Sequence, residues 1–361
     1  MDDRSDDLGR RPLLAGMAMA ALPVGASAVE PSFDTLLSQA RRDRTLEIWL
    51  GSPTAGQIHR ALFTAFQHRF GLAFDGRWVV LHAVRANTRL MVEATARRVS
   101  CDLLGGSADN IALLESKGLI RQEDWIARFS SILPTIVEPV DRMMPTLRGL
   151  GLSWFDVAYG TAWNTNSVTE AEAPRRLTDF LDPKWRGRFA MSVLGGSPFD
   201  LLSLAVGQEA TLSLVKGLLA NQPILKAGVP AVVSALTTGE AHLAIGAYTT
   251  VERARRNGEP QAFRFFDDYL PVLPLFVSIP TQAPHPALAR LFAAWLVTEG
   301  AQIVETMEGA GRISDPTSAL GKAVRALPAG IRVLEERSIA DIEQTRAITA
   351  RIHTMFSSHR G

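Results

Sequence analysis

Two α/β units facing each other across a cleft are the fold this chain predicts. Three observations carry the prediction. Strand-like and helix-like segments alternate from residue 45 to residue 118, a second alternating run begins near residue 150, and extended stretches near 155–165 and 245–270 take the chain across and back. Strands alternating with helices make a mostly parallel sheet with helices on its faces. The chain has 361 residues, 47% of them apolar and 21% charged, enough for two ordinary cores.

The elements follow in order. Residues 29–44 predict a short polar leader helix. "TLEIWLGSPTAGQ" (45–57) predicts a strand, a turn and a helix start. Ile58, Leu62, Phe66 and Phe70 then recur every four residues, one face of a helix, and Gly71 supplies its C-terminal stop. "RWVVLHAV" (77–84) predicts a strand, "RANTRLMVEATARR" (85–98) a helix, "VSCDLLGGS" (99–107) a strand breaking at two glycines, and "ADNIALLESKG" (108–118) a helix closed by Gly118. "SWFDVAYGTAWNTN" (153–166) is extended. Residues 176–200 predict a short helix, a turn, a strand and a second Gly-Gly-Ser loop, with a helix to about 220. "VPAVVSALTTGEAHLAIGAYTT" (229–250) predicts a helix and a buried strand. "FRFFDDYLPVLPLFVSIP" (263–280) predicts strands, and residues 285–307 one long helix with Gly300 inside it. The last 35 or so residues predict polar, surface-lying helix.

The N-terminus is an address. Leu13 to Gly25 is apolar all round but shorter than the roughly 20 residues a membrane span needs. It ends in the small-x-small triplet Ala26-Ser27-Ala28, the layout of a cleaved secretory signal over residues 1–28. Arg10-Arg11 followed by Pro12-Leu13-Leu14 looks like a twin-arginine signal. The predicted location is the periplasm. Net charge is +1, which excludes a bulk drive toward nucleic acid. Cys101 is the one cysteine, so stability rests on packing, and its apolar setting marks it as a buried small residue.

Catalytic patterns are missing from the sequence. The seven histidines show no metal-binding spacing, and there is neither a G-x-S-x-G elbow nor a phosphate-binding loop. An exported enzyme on a related two-lobe fold is the lower alternative. Binding without a resident cofactor or metal, to a small molecule and by a monomer, is the expectation.

Four stretches in order resemble one family. Glu93, Asp102-Leu103 and Lys117-Gly118-Leu119 fall where its members carry a helix Glu, a D-V/L pair and K-G-L. "AYGTAWNTNSV" (158–168) is similar to their first crossing between lobes, "LTDFLDPKWRGRFAMS" (177–192) to L-x-D-L-x-D-P-K-W-K-G-K-I-x-M, and "HPALARLFAAWLVTEGAQ" (285–302) to H-P-x-A-A-x-L-F-x-x-F-L-x-S-x-E-G-Q. Over roughly residues 45–310 the chain resembles the iron- and polyamine-type extracellular solute-binding proteins of ABC importers. The resemblance implies a type II periplasmic-binding-protein fold. Each lobe has a mixed, mostly parallel sheet with flanking helices, and a two-strand hinge joins the lobes. It implies delivery of a bound solute to an inner-membrane ABC permease. The lobes are expected at 29–155 plus 268–361 and at 156–267.

Candidate ligand contacts sit at three strand-to-helix loops. Ser52 with Thr54, Gly106 with Ser107, and Gly196 with Ser197 offer backbone N–H groups and hydroxyls at helix starts, which favour anions. Arg85 follows the second strand and suits a carboxylate or phosphate. Tyr159 and Tyr248 lie near the crossings, and Phe199 and Asp200 follow the second Gly-Gly-Ser loop. The expected ligand is a small organic anion, a carboxylate or a phosphorylated or phosphonate compound. Ferric iron is the alternative, since ferric-binding relatives use tandem tyrosines near the second crossing. Here Tyr248 is followed by Thr249. Acids in the loops are few, with Asp109 and Asp200 the clear ones.

Overall fold

The structure, a computed structural model, describes residues 32–359. The export signal read at 1–28 lies outside them. Helix α1 (Phe33–Ala40) leads into β1 (Thr45–Leu50), α2 (Gly56–Phe70), β2 (Asp75–Val80), α3 (Ala83–Thr95), β3 (Leu103–Gly106) and α4 (Ala108–Glu115). Two short helices, α5 (Trp125–Phe129) and α6 (Val137–Asp141), precede the long strand β4 (Leu152–Asn164). Then come β5 (Phe189–Ser192), α7 (Phe199–Val206), α8 (Gln208–Ala220), β6 (Ile224–Lys226), α9 (Val229–Thr237), β7 (Leu243–Ala247), α10 (Tyr248–Arg256), β8 (Gln261–Phe265) and β9 (Tyr269–Ser278). The chain ends with α11 (Pro286–Leu296), α12 (Ala301–Glu308), α13 (Ala319–Arg325), β10 (Arg332–Leu334) and α14 (Ile339–His359).

Strand order is β2-β1-β3-β9-β4-β7-β5-β6, with β8 beside β4 and β10 beside β9. The first three strands run parallel, as do β5, β6 and β7, while β4 and β9 pair antiparallel to their neighbours within this order. Strand β4 serves both halves. Leu152–Ala158 pairs with β9, and Tyr159–Asn164 continues onto β7 and β8. The crossing inferred near 155–165 is therefore one continuous strand, and β9 returns antiparallel to it. A third, short strand, β10, lies parallel to the start of β9.

Each side of the sheet has its own apolar filling. The α2 stripe of Ile58, Leu62, Phe66 and Phe70 packs against α11 through Phe292 and Trp295. On the other half, Trp163, Phe180, Phe189, Phe199 and Val215 form the core. Gly71 and Gly118 adopt the left-handed conformation after α2 and α4, as their positions as helix stops require.

Four expectations change. The helix read over 285–307 is two helices bent by 53° at Gly300, where an added Cβ would lie 2.9 Å from the Leu296 Cα. The helix expected to reach about 220 is two, broken at Gly207 with φ +82°. Cys101, read inside a strand, is in the coil before β3, buried. The C-terminal helix is surface-lying and polar on its outer faces as read, but it is not polar throughout: Ile342, Ile348, Ile352 and Phe356 are buried along one stripe. Ile342 joins the cluster of Ile111, Leu114 and Met143, whereas the other three join Phe199 and Leu201. The tail thus packs on both halves of the molecule.

Candidate functional site

The loop after β1 is turned inward on its own half. Ser52 Oγ donates to Glu308 at 3.4 Å, and Glu308, 1% exposed at the end of α12, also takes Arg253 of α10 at 3.3 Å. Thr54 is exposed, and the first turn of α2 has neither an acidic residue nor a side-chain cap. Arg85 stands exposed in the first turn of α3, whose start is likewise uncapped and free of acid.

The loops after β3 and β5 are built differently. Ser107 and Asn110 cap α4 reciprocally, and Gly106 lets Asn110 approach, since a Cβ there would lie 2.8 Å from the Asn110 Cβ. Ser107 Oγ donates to Asp109 at 2.5 Å. In α7 the same arrangement recurs: Ser197 Oγ donates to Asp200 at 2.8 Å. Each aspartate is the second residue of its helix, where a carboxylate complements the helix dipole. At these two loops the hydroxyls and the positive helix ends read from sequence as open to an anion are occupied by the chain's own acids.

These two helix starts meet a third acid. Asp109, Asp200 and Glu336, in the segment between β10 and α14, repel one another electrostatically. Burial pushes Asp200 up to about 6, and the repulsion from Asp109 adds to it against hydrogen bonds from Ser197, Leu201 N–H and Thr349. Glu336 is pushed up to about 7 by burial first, then by Asp109, Asp200 and Asp341, with Thr345 Oγ1 donating to it at 2.5 Å. Tyr159 joins this group. It is buried on β4 beside Ser197 and Asp200, and burial, with the nearby Asp200 charge, pushes its pKa up.

The remaining candidates lie apart. Phe199 is 2% exposed and packed in the core, so its ring does not face solvent. Tyr248 opens α10, half-buried, its ring stacked on Phe265 at 5.7 Å and set edgewise to Phe263. Its charged neighbours are Glu252, Arg255, Arg256 and Glu305, and burial raises its pKa. Among the described residues no group of three or more His, Cys, Asp or Glu is placed to hold a metal ion. A cavity of about 740 Å³ lies elsewhere, among α6, the start of β4 and the bend between α11 and α12. None of the sequence candidates lines it. The buried charges that do line it are paired within the chain, Arg312 with Glu138 and Arg142 with Asp156 and Glu335.

Sequence reasoning missed Glu336 and Thr349. Nothing local marks them: each reaches Asp109 or Asp200 only because α14 packs across α7, more than a hundred residues away in the chain.

This topology has known counterparts. The sequence profile of the bacterial extracellular solute-binding proteins matches residues 103–309. The chain belongs to that family. Family members bind a solute and pass it to an ABC permease, and they are not enzymes. Solved structures agree on the fold. Iron-bound HitA from Pseudomonas aeruginosa is 19% identical and superposes with a TM-score of 0.65, over 86% of this chain and 99% of that one. The substrate-binding protein of an ABC transporter from Agrobacterium tumefaciens is 15% identical with a TM-score of 0.67, over 90% and 96%. AgtB from A. tumefaciens, solved with agropinic acid, is 14% identical with a TM-score of 0.62, over 88% and 98%. No curated protein matches the sequence.

Proposed function

We propose that this family member is the periplasmic solute-binding component of an ABC importer, exported through the twin-arginine signal at its N-terminus. It works as a monomer that closes two lobes on a small organic acid bearing an amine. One lobe is built on residues 32–155 and 268–338, the other on 156–267 with most of the C-terminal helix. The solute sits between the carboxyl ends of β1, β2 and β3 and those of β5 and β7, where ligands of open α/β sheets bind.

The observation that carries the solute class is a split of charge. At α2 and α3 the first helical turns hold no acidic residue of their own and Arg85 is exposed, so a carboxylate, phosphate or phosphonate group finds N–H donors and a guanidinium there. At α4 and α7 the helix starts carry Asp109 and Asp200 with Glu336 facing them, so a second anionic group is repelled and a protonated amine is attracted. A plain organic anion fits only the first half. Ferric iron through Tyr248 with a synergistic anion has less behind it, because Thr249 follows Tyr248 and Tyr159 is buried on β4.

Matched pairs test this. Thermal shifts and calorimetry of the mature chain with 4-aminobutyrate against butyrate, and 2-aminoethylphosphonate against ethylphosphonate, are expected to favour the amine-bearing member at least tenfold. Equal responses within each pair would remove the amine from the reading. A response to ferric salts alone would return the site to Tyr248.

A further inference from the structure

The Gly195-Gly196-Ser197-Pro198 loop reads in sequence as a cradle for a ligand. In the structure it already has an occupant. Helix α14 lies against it: Thr349 Oγ1 donates to Asp200 at 3.3 Å, and His353 Nε2 lies 3.1 Å from the Gly195 carbonyl. The fit depends on glycine. A Cβ on Gly196 would stand 2.2 Å from Thr349 Oγ1 and 2.7 Å from the Asp200 carboxylate, and Gly195 has φ +79°. Around this contact Gln344 donates to the Ser203 carbonyl and Arg351 reaches Gln208 and Glu209, while Ile348, Ile352 and Phe356 fill the core behind. The other end of the tail is tied to the opposite half, through Ile342 beside Ile111 and through Glu335 on Arg142.

We propose that the second Gly-Gly-Ser loop is the seat of the C-terminal helix, and that Thr349 is a positioning residue holding the Asp200 carboxylate toward the solute cleft. The tail is then a wall of the binding site, tethered to one lobe at Glu335 and Ile342 and moving with the other from Gln344 onward. The role of Asp200 rests on the cleft reading above. The seating does not, since it is made of contacts within the chain.

The experiment is chosen to need no solute, so its failure and that of the cleft reading are separate. Full-length mature chains carrying Thr349→Val, Thr349→Ser and Gly196→Ala are compared by amide hydrogen exchange. Residues 196–201 and 345–356 are expected to exchange at least tenfold faster in Thr349→Val and Gly196→Ala and at the native rate in Thr349→Ser. A second reading uses pH. The groups facing Asp200 are Ser197 and the Leu201 N–H from its own loop and helix, Thr349 from α14, Tyr159 from β4, Asp109 from α4 and Glu336 before α14. The pH midpoint of stability, taken as the difference from the Asp200→Asn chain, is expected to move upward in Thr349→Val and to return in Thr349→Ser. Exchange within twofold of native in both Thr349→Val and Gly196→Ala, or a midpoint that Thr349→Val leaves in place, would overturn the proposal. Should Gly196→Ala fail to fold, the Thr349 pair decides alone.

Discussion

At the scale of single residues, the acids gathered at the starts of α4 and α7 make a pH argument with a definite sign. Asp200 and Glu336 have raised pKa values in the folded chain, about 6 and about 7. A carboxylic acid whose folded pKa is raised binds its proton more tightly folded than unfolded. Its contribution to stability is therefore complete below the unfolded pKa near 4 and is lost as pH rises through the folded value. One pKa unit is about 1.4 kcal/mol, so Glu336, raised from the ordinary glutamate value to about 7, accounts for on the order of 3–4 kcal/mol. Glu336→Gln is expected to leave stability unchanged near pH 4 and to raise it by roughly that amount, relative to the native chain, above pH 7. Urea melts of the two chains across pH 4–8 check this, and parallel curves would show that Glu336 does not titrate between these values.

Arg142 permits a second test at this scale. It is the cation paired with Asp156, which is 0% exposed, accepts the Ile313 N–H at 2.8 Å and has Arg312 as a second nearby cation. Removing one partner of a buried pair leaves an uncompensated charge, at a cost of about 3–5 kcal/mol. Arg142→Ala is expected to destabilise by that order, and Asp156→Asn in the same chain to recover part of it. Denaturant midpoints of the double-mutant cycle give the coupling; additive effects would mean the pair is not coupled.

Among the elements, the bend between α11 and α12 depends on a single glycine. Gly300 was legible as an oddity inside an apolar helix pattern, but its reason lies in packing: a side chain there runs into Trp295 and the Leu296 backbone. Overpacking of this kind costs about 1–3 kcal/mol. Gly300→Ala is expected to fall in that range by urea unfolding, and a neutral result would mean that Trp295 yields. The α14 stripe is the converse case. Ile342, Thr345, Ile348, Ile352 and Phe356 are buried on a narrow seam, while Glu, Arg and His on the other faces make the segment look polar throughout.

For the whole molecule, the two halves also touch through α10 and α12. Arg253 pairs with Glu308, and Arg256 donates to the Glu305 and Thr306 carbonyls at the end of α12, where a cation favours the helix dipole. These contacts are expected to hold the lobes together, in the manner of hinged binding proteins. Arg253→Met should loosen them, seen as a larger radius of gyration by small-angle scattering and as weaker solute binding. An unchanged radius with unchanged binding would show that closure does not depend on this pair. At the cellular scale, Arg11→Lys is expected to reduce export, and normal export would point to the general secretory route.

The sequence alone determined the order of strands and helices from β1 to α4, the helix stops at Gly71 and Gly118, the crossing near residue 160 and the family. These depend on hydrophobic periodicity and backbone preferences, which act between near neighbours. Part of the candidate site was legible in the same way: Ser107, Asp109, Tyr159, Ser197 and Asp200 do gather, because strand-to-helix loops at one end of a sheet meet by topology. Only the tertiary structure decided what the loops hold. Whether a hydroxyl faces a solute or its own aspartate, and whether Gly196 admits a ligand or Thr349, depends on a helix that arrives from the far end of the chain. Those contacts form when the core closes around Ile348 and Phe356, and no local pattern announces them.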